Sequence, residues 1–227
     1  MKTLKKSKGY LLILLTFAVL AGCAESEKKE AAGRIDENET KTENVTKNTS
    51  TTAKGEKKQI ALQDSKLEWI GSKVTGKHNG TVSITGGELF VDNNEVTGGS
   101  FEIDFNTITV LDVEDAESNG KLTGHLKSDD FFSAEKHPNG KFIIKSVSNT
   151  GGNQYNVTGD MIIKGITNEI SFPATIVTNE GKVTANADFN IDRTKWDIKF
   201  RSGKFFENLG DKMISDEFNI KFEIKTL

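Results

Sequence analysis

From Ile60 to the C-terminus the chain alternates apolar and polar residues with a period of two. Phe218, Ile220, Phe222 and Ile224 alternate with Asn219, Lys221 and Glu223. Val183, Ala185, Ala187, Phe189 and Ile191 alternate with Thr184, Asn186, Asp188 and Asn190, and Ile170, Phe172, Ala174 and Ile176 repeat the pattern. This is the signature of strands with one buried and one wetted face. Phe101, Ile103 and Phe105 follow it until Thr107, where the phase flips to Ile108 and Val110, which predicts a β-bulge or bend near Asn106. Turn-forming pairs punctuate the runs, among them Gly86-Gly87, Asp92-Asn93-Asn94, Gly98-Gly99, Pro138-Asn139-Gly140, Gly151-Gly152 and Asn179-Glu180-Gly181. A helical period is confined to short pieces near 118–134 and 203–214. About eight strands joined in this way predict an all-β antiparallel barrel or sandwich, and an eight-stranded barrel is preferred because closure removes exposed edges.

The N-terminus breaks the pattern. Lys2, Lys5, Lys6 and Lys8 precede an apolar run from Tyr10 to Leu20, followed by Leu-Ala-Gly-Cys ending at Cys23. The run is short for a membrane span and has the flanks of a signal peptide, expected over 1–22. The four residues ending at Cys23 resemble the lipobox of bacterial lipoproteins. That resemblance implies cleavage before Cys23, lipidation of its thiol and attachment to a membrane, and Cys23 is the only cysteine of the chain. Residues 24–59 hold eight acids and eight bases and almost no large apolar groups. Such a segment gains too little from burial to offset its ordering entropy, so a disordered tether is expected, with a reach of about 30–35 Å. The folded domain is then 60–227. Removing four lysines with the signal takes the net charge from −3 to −7. No basic stripe accompanies that acidic balance, which argues against nucleic-acid binding.

Thirteen phenylalanines lie beyond the signal, many on the apolar phase of a strand. An eight-stranded barrel is just wide enough to be filled by side chains or to hold one small ligand, so a packed interior and an apolar tunnel both fit. The phase places Trp69, Phe101, Ile103, Phe105, Phe142, Ile144, Met161, Ile163, Phe172, Ala174, Ala185, Ala187, Phe189, Phe218 and Phe222 on the inner face. The small residues Ala174, Ala185 and Ala187 leave volume there, although alternation of small and large residues also serves to fit an ordinary barrel's taper.

The stretch from Gly124 to Phe142 concentrates His125, Asp129, Asp130, Glu135 and His137 with Phe131 and Phe132. His125 and His137 are twelve residues apart, and neither has a partner at ligand spacing. A metal site is therefore not expected. Adjacent carboxylates point apart, and no serine has a nucleophile-elbow context, so acid/base or hydrolytic chemistry is not expected either. Ser128-Asp129-Asp130 reads as the capped start of a helical turn with acids at its positive end. That turn would carry Phe131 and Phe132 as a lid over one end of the barrel.

The segment KLTGHLKSDDFFSAEKHPNGKF at 121–142 resembles the signature of the YceI-like family. So do Trp69-Ile70-Gly71 with His78-Asn79-Gly80, Gly98-Gly99-Ser100-Phe101 with Ile103-Asp104, VTGDMIIKGITNEISFP at 157–173 and FNIDRTKWDIKF at 189–200. Five motifs in order cover about residues 61–227. The resemblance implies an exported protein with a lipocalin-like barrel closed by short helices, holding an isoprenoid chain such as a quinone or polyprenyl compound, with a fatty-acyl ligand also open. Beyond that lipid no cofactor is implied. His125 and Arg193 sit in family motifs near strand ends and are candidates for head-group contacts. The alternatives are a hydrogen-bonded loop histidine for His125 and a salt bridge to Asp192, Asp188 or another nearby acid for Arg193. Trp196 is expected at the rim. The function that follows is a leashed lipid carrier or reservoir of the cell envelope, on the periplasmic side or the surface. A structural or adhesive lipoprotein with a filled barrel is the alternative, and an enzyme is not expected.

Overall fold

The structure, a computed structural model, describes residues 53–227. The expected signal peptide, Cys23 and most of the expected tether lie outside the described residues. Nine strands form one antiparallel sheet: β1 (Glu56–Gln59), β2 (Lys66–Lys73), β3 (Gly76–Asp92), β4 (Glu95–Val110), β5 (Asn139–Gly151), β6 (Gln154–Ile163), β7 (Ile166–Asn179), β8 (Lys182–Asp192) and β9 (Ile214–Lys225). The helix α1 (Ala116–Lys127) lies between β4 and β5. Strands β2 to β9 follow one another around the sheet, with β2 beside both β3 and β9, and the β3–β4 pairing closes a barrel of eight strands. Closure gives every barrel strand a hydrogen-bonded neighbour on both sides.

The short strand β1 corrects the expected tether, whose last four residues it contains. It pairs with the second half of β3, from Glu56 opposite Val91 to Gln59 opposite Glu88, while β2 pairs with the first half of β3. Its sequence, Glu-Lys-Lys-Gln, has no apolar phase. Main-chain pairing and the 2.6 Å Lys57–Glu88 ion pair hold it in place, so periodicity could not reveal it.

The bend expected near Asn106 is present. Between the pairs Thr81–Thr109 and Ser83–Asp104 the β3–β4 register shifts. The Asn106 N–H donates to Asp104 Oδ1 and the Thr107 hydroxyl donates to the Asp104 carbonyl. As a result Ile103, Phe105, Ile108 and Val110 are all buried despite the change of phase.

The two ends of the barrel differ. One end carries the tight β3–β4, β5–β6 and β7–β8 turns. The other, the cap end, is covered by α1, the segment 128–138 and the segment 193–213. The helix is polar and contains Gly120 and Gly124; Leu126 is its only buried residue. Local bonds hold it: Asp115 caps its first turn by accepting from the Ser118 N–H, and the Asn119 amide donates to the Val110 and Val113 carbonyls. Ser128 therefore ends a helix instead of starting one, its N–H and hydroxyl both donating to the His125 carbonyl. The helix starts twelve residues before Ser128, close to the start of the helical piece expected near 118.

Candidate functional site: the barrel interior

The fifteen residues assigned to the inner face by phase all belong to the barrel core or pack against it. Phe101, Ile103, Phe105, Phe142, Ile144, Met161, Ile163, Phe172, Ala174 and Ala187 are buried, while Trp69, Ala185, Phe189, Phe218 and Phe222 are partly buried. Cross-strand pairs place them in layers, as Ala174 opposite Ala187 and Ala187 opposite Phe222. The rings then interlock: Phe172 stacks on Phe189 at 4.0 Å, nearly parallel, and Phe142, Phe172 and Phe222 meet at 5.5 to 5.9 Å.

The packing leaves three apolar cavities. The one nearest the cap is about 50 Å³, lined by Leu67, Trp69, Val82, Phe105, Phe132 and Phe218 among others. A second, about 40 Å³, lies between Leu67, Ile84, Phe101, Phe189 and Phe222. The third, about 20 Å³, is bounded by Leu89, Phe142, Ala174, Ala185 and Ile224. Neighbouring cavities share walls. Leu67, Ile103, Met161 and Ile220 border the first and second, and Phe101, Phe142, Phe172, Phe222 and Ile224 border the second and third. The three thus stand in file, separated by side chains and not by backbone. Leu67, Val82 and Leu89 are among the lining residues that the inner-face set lacked, with Ile84, Val96, Ile108, Val147, Val157, Ile176, Ile220 and Ile224. For the first three the signal exists in the Leu67–Trp69 and Val82–Ile84 spacings, but the Gly86-Gly87 pair breaks the alternation of β3.

Besides Glu68 at the first cavity, Trp69 is the exception to this apolar lining. Its ring lies over Gly80 on the neighbouring strand, so close that a Cβ added there would meet Trp69 Cζ2 at 2.7 Å and the Thr109 carbonyl oxygen at 1.8 Å. Glycine at 80 is required by this close approach. The Trp69 indole nitrogen is buried and has no hydrogen-bond partner. An unpaired buried donor costs about 1–3 kcal/mol, and a group that accepts from it would recover that cost.

The cap closes the first cavity. Phe132 stacks on Phe105 at 4.8 Å and meets Phe218 edge-on at 6.3 Å, the lid arrangement expected of the 128–134 turn. His125 stands outside the cavities. It lies in the last turn of α1, edge-on to Phe131 and Phe200 at 5.0 and 4.6 Å, with Nε2 3.0 Å from Asp130 Oδ2. His78 pairs with Asp112 at 2.8 Å.

Arg193 is not available to a ligand head group, which corrects that expectation. The side chain is buried, and its guanidinium donates to the Ser215, Ile198 and Ile214 carbonyls at 2.8, 2.8 and 3.1 Å. Asp216 is 3.8 Å from Nη2, whereas the expected partner Asp192 is held by Lys204 at 2.7 Å. Burial pushes the Arg193 pKa down, and Asp216 and Asp192 oppose that shift. The residue pins the segment 193–213 to β9. Trp196, expected at the rim, is fully buried, and its indole N–H donates to the Met161 carbonyl at 3.0 Å.

A family model described as the YceI-like domain matches residues 34–226. The chain belongs to the YceI-like family. A UPF0312 protein of Pseudomonas putida is 28% identical over 124 residues, which are 55% of this chain and 60% of that protein. A UPF0312 protein of Shewanella denitrificans is 34% identical over 88 residues, 39% of this chain and 44% of its own length. The matched region thus spans 60% or less of these curated relatives. Among solved structures, this YceI-like chain is similar to BcnA of Burkholderia cenocepacia, with a TM-score of 0.60, 22% identity, and coverage of 74% of this chain and 99% of BcnA. It is also similar to a polyisoprenoid binding domain from Saccharophagus degradans, with a TM-score of 0.56, 11% identity and coverage of 74% and 96%. At these identities the likeness is one of fold: the closed eight-stranded antiparallel barrel.

Proposed function

We propose that this protein holds a long apolar chain, an isoprenoid quinone or a polyprenyl compound, inside its barrel as a carrier or reservoir without catalysing its conversion. The observation that carries the reading is the file of apolar cavities, separated by movable side chains and bordered by one orphaned donor, Trp69 Nε1. Each buried methylene contributes about 0.8 kcal/mol, so a long hydrocarbon would outweigh the roughly 4–15 kcal/mol cost of association. The polyisoprenoid binding domain of Saccharophagus degradans, with the same fold, supports the ligand class. None of the three apolar interior cavities exceeds about 50 Å³, so loading requires the rings of Phe101, Phe142, Phe172 and Phe222 to turn aside.

The test is organic extraction of protein purified from cells, followed by mass spectrometry. A stoichiometric long-chain compound is expected, and a clean blank would reject the carrier. The indole is tested by comparing an isoprenoid quinone with squalene, which has no acceptor. Trp69→Phe is expected to narrow the preference for the quinone about fivefold, one hydrogen bond's worth.

The ring stacking favours a second reading, a structural lipoprotein with a filled barrel, because Phe172 and Phe189 already lie at the contact distance of stacked rings. It predicts no extracted lipid and no thermal stabilisation by added isoprenoids.

The same proposal places the barrel in the bacterial cell envelope, leashed to a membrane through lipidated Cys23, on the periplasmic side or the surface. Cells fed an alkyne palmitate are expected to label the wild-type protein and not Cys23→Ala.

A further inference from the structure

The described residues include nine exposed large hydrophobic side chains, and six of them, Val74, Leu111, Ile166, Phe205, Phe206 and Met213, lie at the cap end. Several of these are joined into one surface. The Val74 N–H, in the β2–β3 turn, donates to the Met213 carbonyl just before β9, and Met213 Sδ packs over Gly203, two residues before Phe205. The Leu111 N–H donates to Asn79 on the adjoining strand. Phe205 and Phe206 are neighbours in sequence and each is 49% exposed. A pair of half-exposed phenylalanines on a loop that the fold pins at both ends is not explained by core packing.

The charge around this patch opposes that of the molecule. The chain as a whole carries −3. Lys73, Lys77, Arg201 and Lys212 surround the patch, all exposed, and none has an ion-pair partner among the described residues. The acids left without such a partner are Glu207 and Asp211 in the segment 193–213 and Glu114 and Asp115 after Leu111, of which Asp115 caps α1, while Asp112, beside Leu111, is taken up by His78 and the Asn79 N–H. Aromatic and aliphatic side chains at the centre, with long cationic side chains at the margin, form the arrangement that enters a lipid interface. The apolar groups reach the acyl boundary, and the lysine and arginine stems extend to anionic phosphates.

We infer that the cap end, through the 199–213 loop and the β2–β3 turn, docks on the surface of a bilayer containing anionic phospholipid. The patch is continuous with the lid that closes the first cavity, since Phe200 of the same loop packs on Phe131 and His125. The inference stands on the surface alone and does not require the interior to be occupied.

The test uses full-length protein carrying Phe206→Trp, with the wild-type spectrum subtracted to remove Trp69 and Trp196. Vesicles contain phosphatidylcholine with brominated acyl chains, with or without phosphatidylglycerol. The introduced indole is expected to shift to the blue and be quenched in the anionic vesicles only. Adding Arg201→Gln and Lys212→Gln to Phe206→Trp is expected to weaken partitioning about twenty-five-fold, about fivefold for each cation lost. Circular dichroism of each variant confirms the fold. Absent quenching, equal quenching without phosphatidylglycerol, or no effect of the charge changes overturns the inference. A blue shift that depends on protein concentration without vesicles also overturns it and assigns the patch to a second copy of the chain.

Discussion

Arg193 and Trp69 are both polar side chains held in an apolar shell, and the structure treats them in opposite ways. Arg193 is satisfied three times over by main-chain carbonyls, so its role is to fix the 193–213 segment. Replacing it with methionine leaves those carbonyls short of donors, and a loss of about 3–5 kcal/mol in urea unfolding is expected. Lysine cannot reach three acceptors with one ammonium, and Arg193→Lys should recover only part of the loss. Beside it, burial pushes the Asp192 carboxyl upward, but Lys204 and Thr194 outweigh burial and hold it below the usual carboxylate range. A folded-state pKa below the unfolded value of about 3.9 stabilises the fold fully above that pH and loses its effect as pH falls through the folded value. The urea midpoint of the wild type should therefore fall below about pH 4, and Asp192→Asn should flatten that part of the profile.

At the scale of elements, the same residue type has opposite consequences in β3 and α1. Gly80 faces Trp69 and leaves no room for a methyl group, since an added Cβ would lie 1.8 Å from the Thr109 carbonyl oxygen. Gly120 in α1 has nothing within 4 Å of the corresponding position. Gly80→Ala is expected to destabilise by about 3 kcal/mol or more, through displaced strands. Gly120→Ala is expected to stabilise by about 0.5–1 kcal/mol, through helix propensity and the entropy of the unfolded chain. Chemical denaturation of both variants measures both signs. The strands themselves were legible because alternation reports directly on burial, and even the bend in β4 was visible as a change of phase. The polar strand β1 was not, since main-chain pairing holds it without apolar periodicity; for α1 the helical piece near 118 was legible, but the cap was read at Ser128 when Asp115 supplies it.

At the scale of the whole molecule, the barrel is long for its width. The seventeen residues of β3, at about 3.3 Å each and tilted by about 40°, span about 40 Å along the axis. The cavities lie in file within that length, so a bound chain would be measured by how far it can extend. Ala185 lines the cavity farthest from the cap. Ala185→Phe is expected to block that end, leaving short isoprenoids bound as in the wild type and weakening long ones at least tenfold, a difference of about 1.4 kcal/mol. Competitive displacement with isoprenoids of graded length measures it. The inner-face assignment was legible because side chains alternate strictly across a strand. The head-group role considered for Arg193 fails because its donors point to carbonyls of β9 and of its own loop, and a strand's phase says nothing of contacts twenty residues away.

By itself the sequence determined the class of fold, the strands of the barrel and many of the side chains that face inward. Each of these follows from a local rule, the period of two that separates a wet face from a dry one. Only the tertiary structure decided that rings from different strands divide the interior into small cavities, that Trp69 has a donor without a partner while Arg193 donates to three main-chain carbonyls, and that the exposed phenylalanines gather with cations at one end. These depend on which strands become neighbours when the sheet closes, and distances across a closed barrel are not encoded in the spacing of residues along the chain.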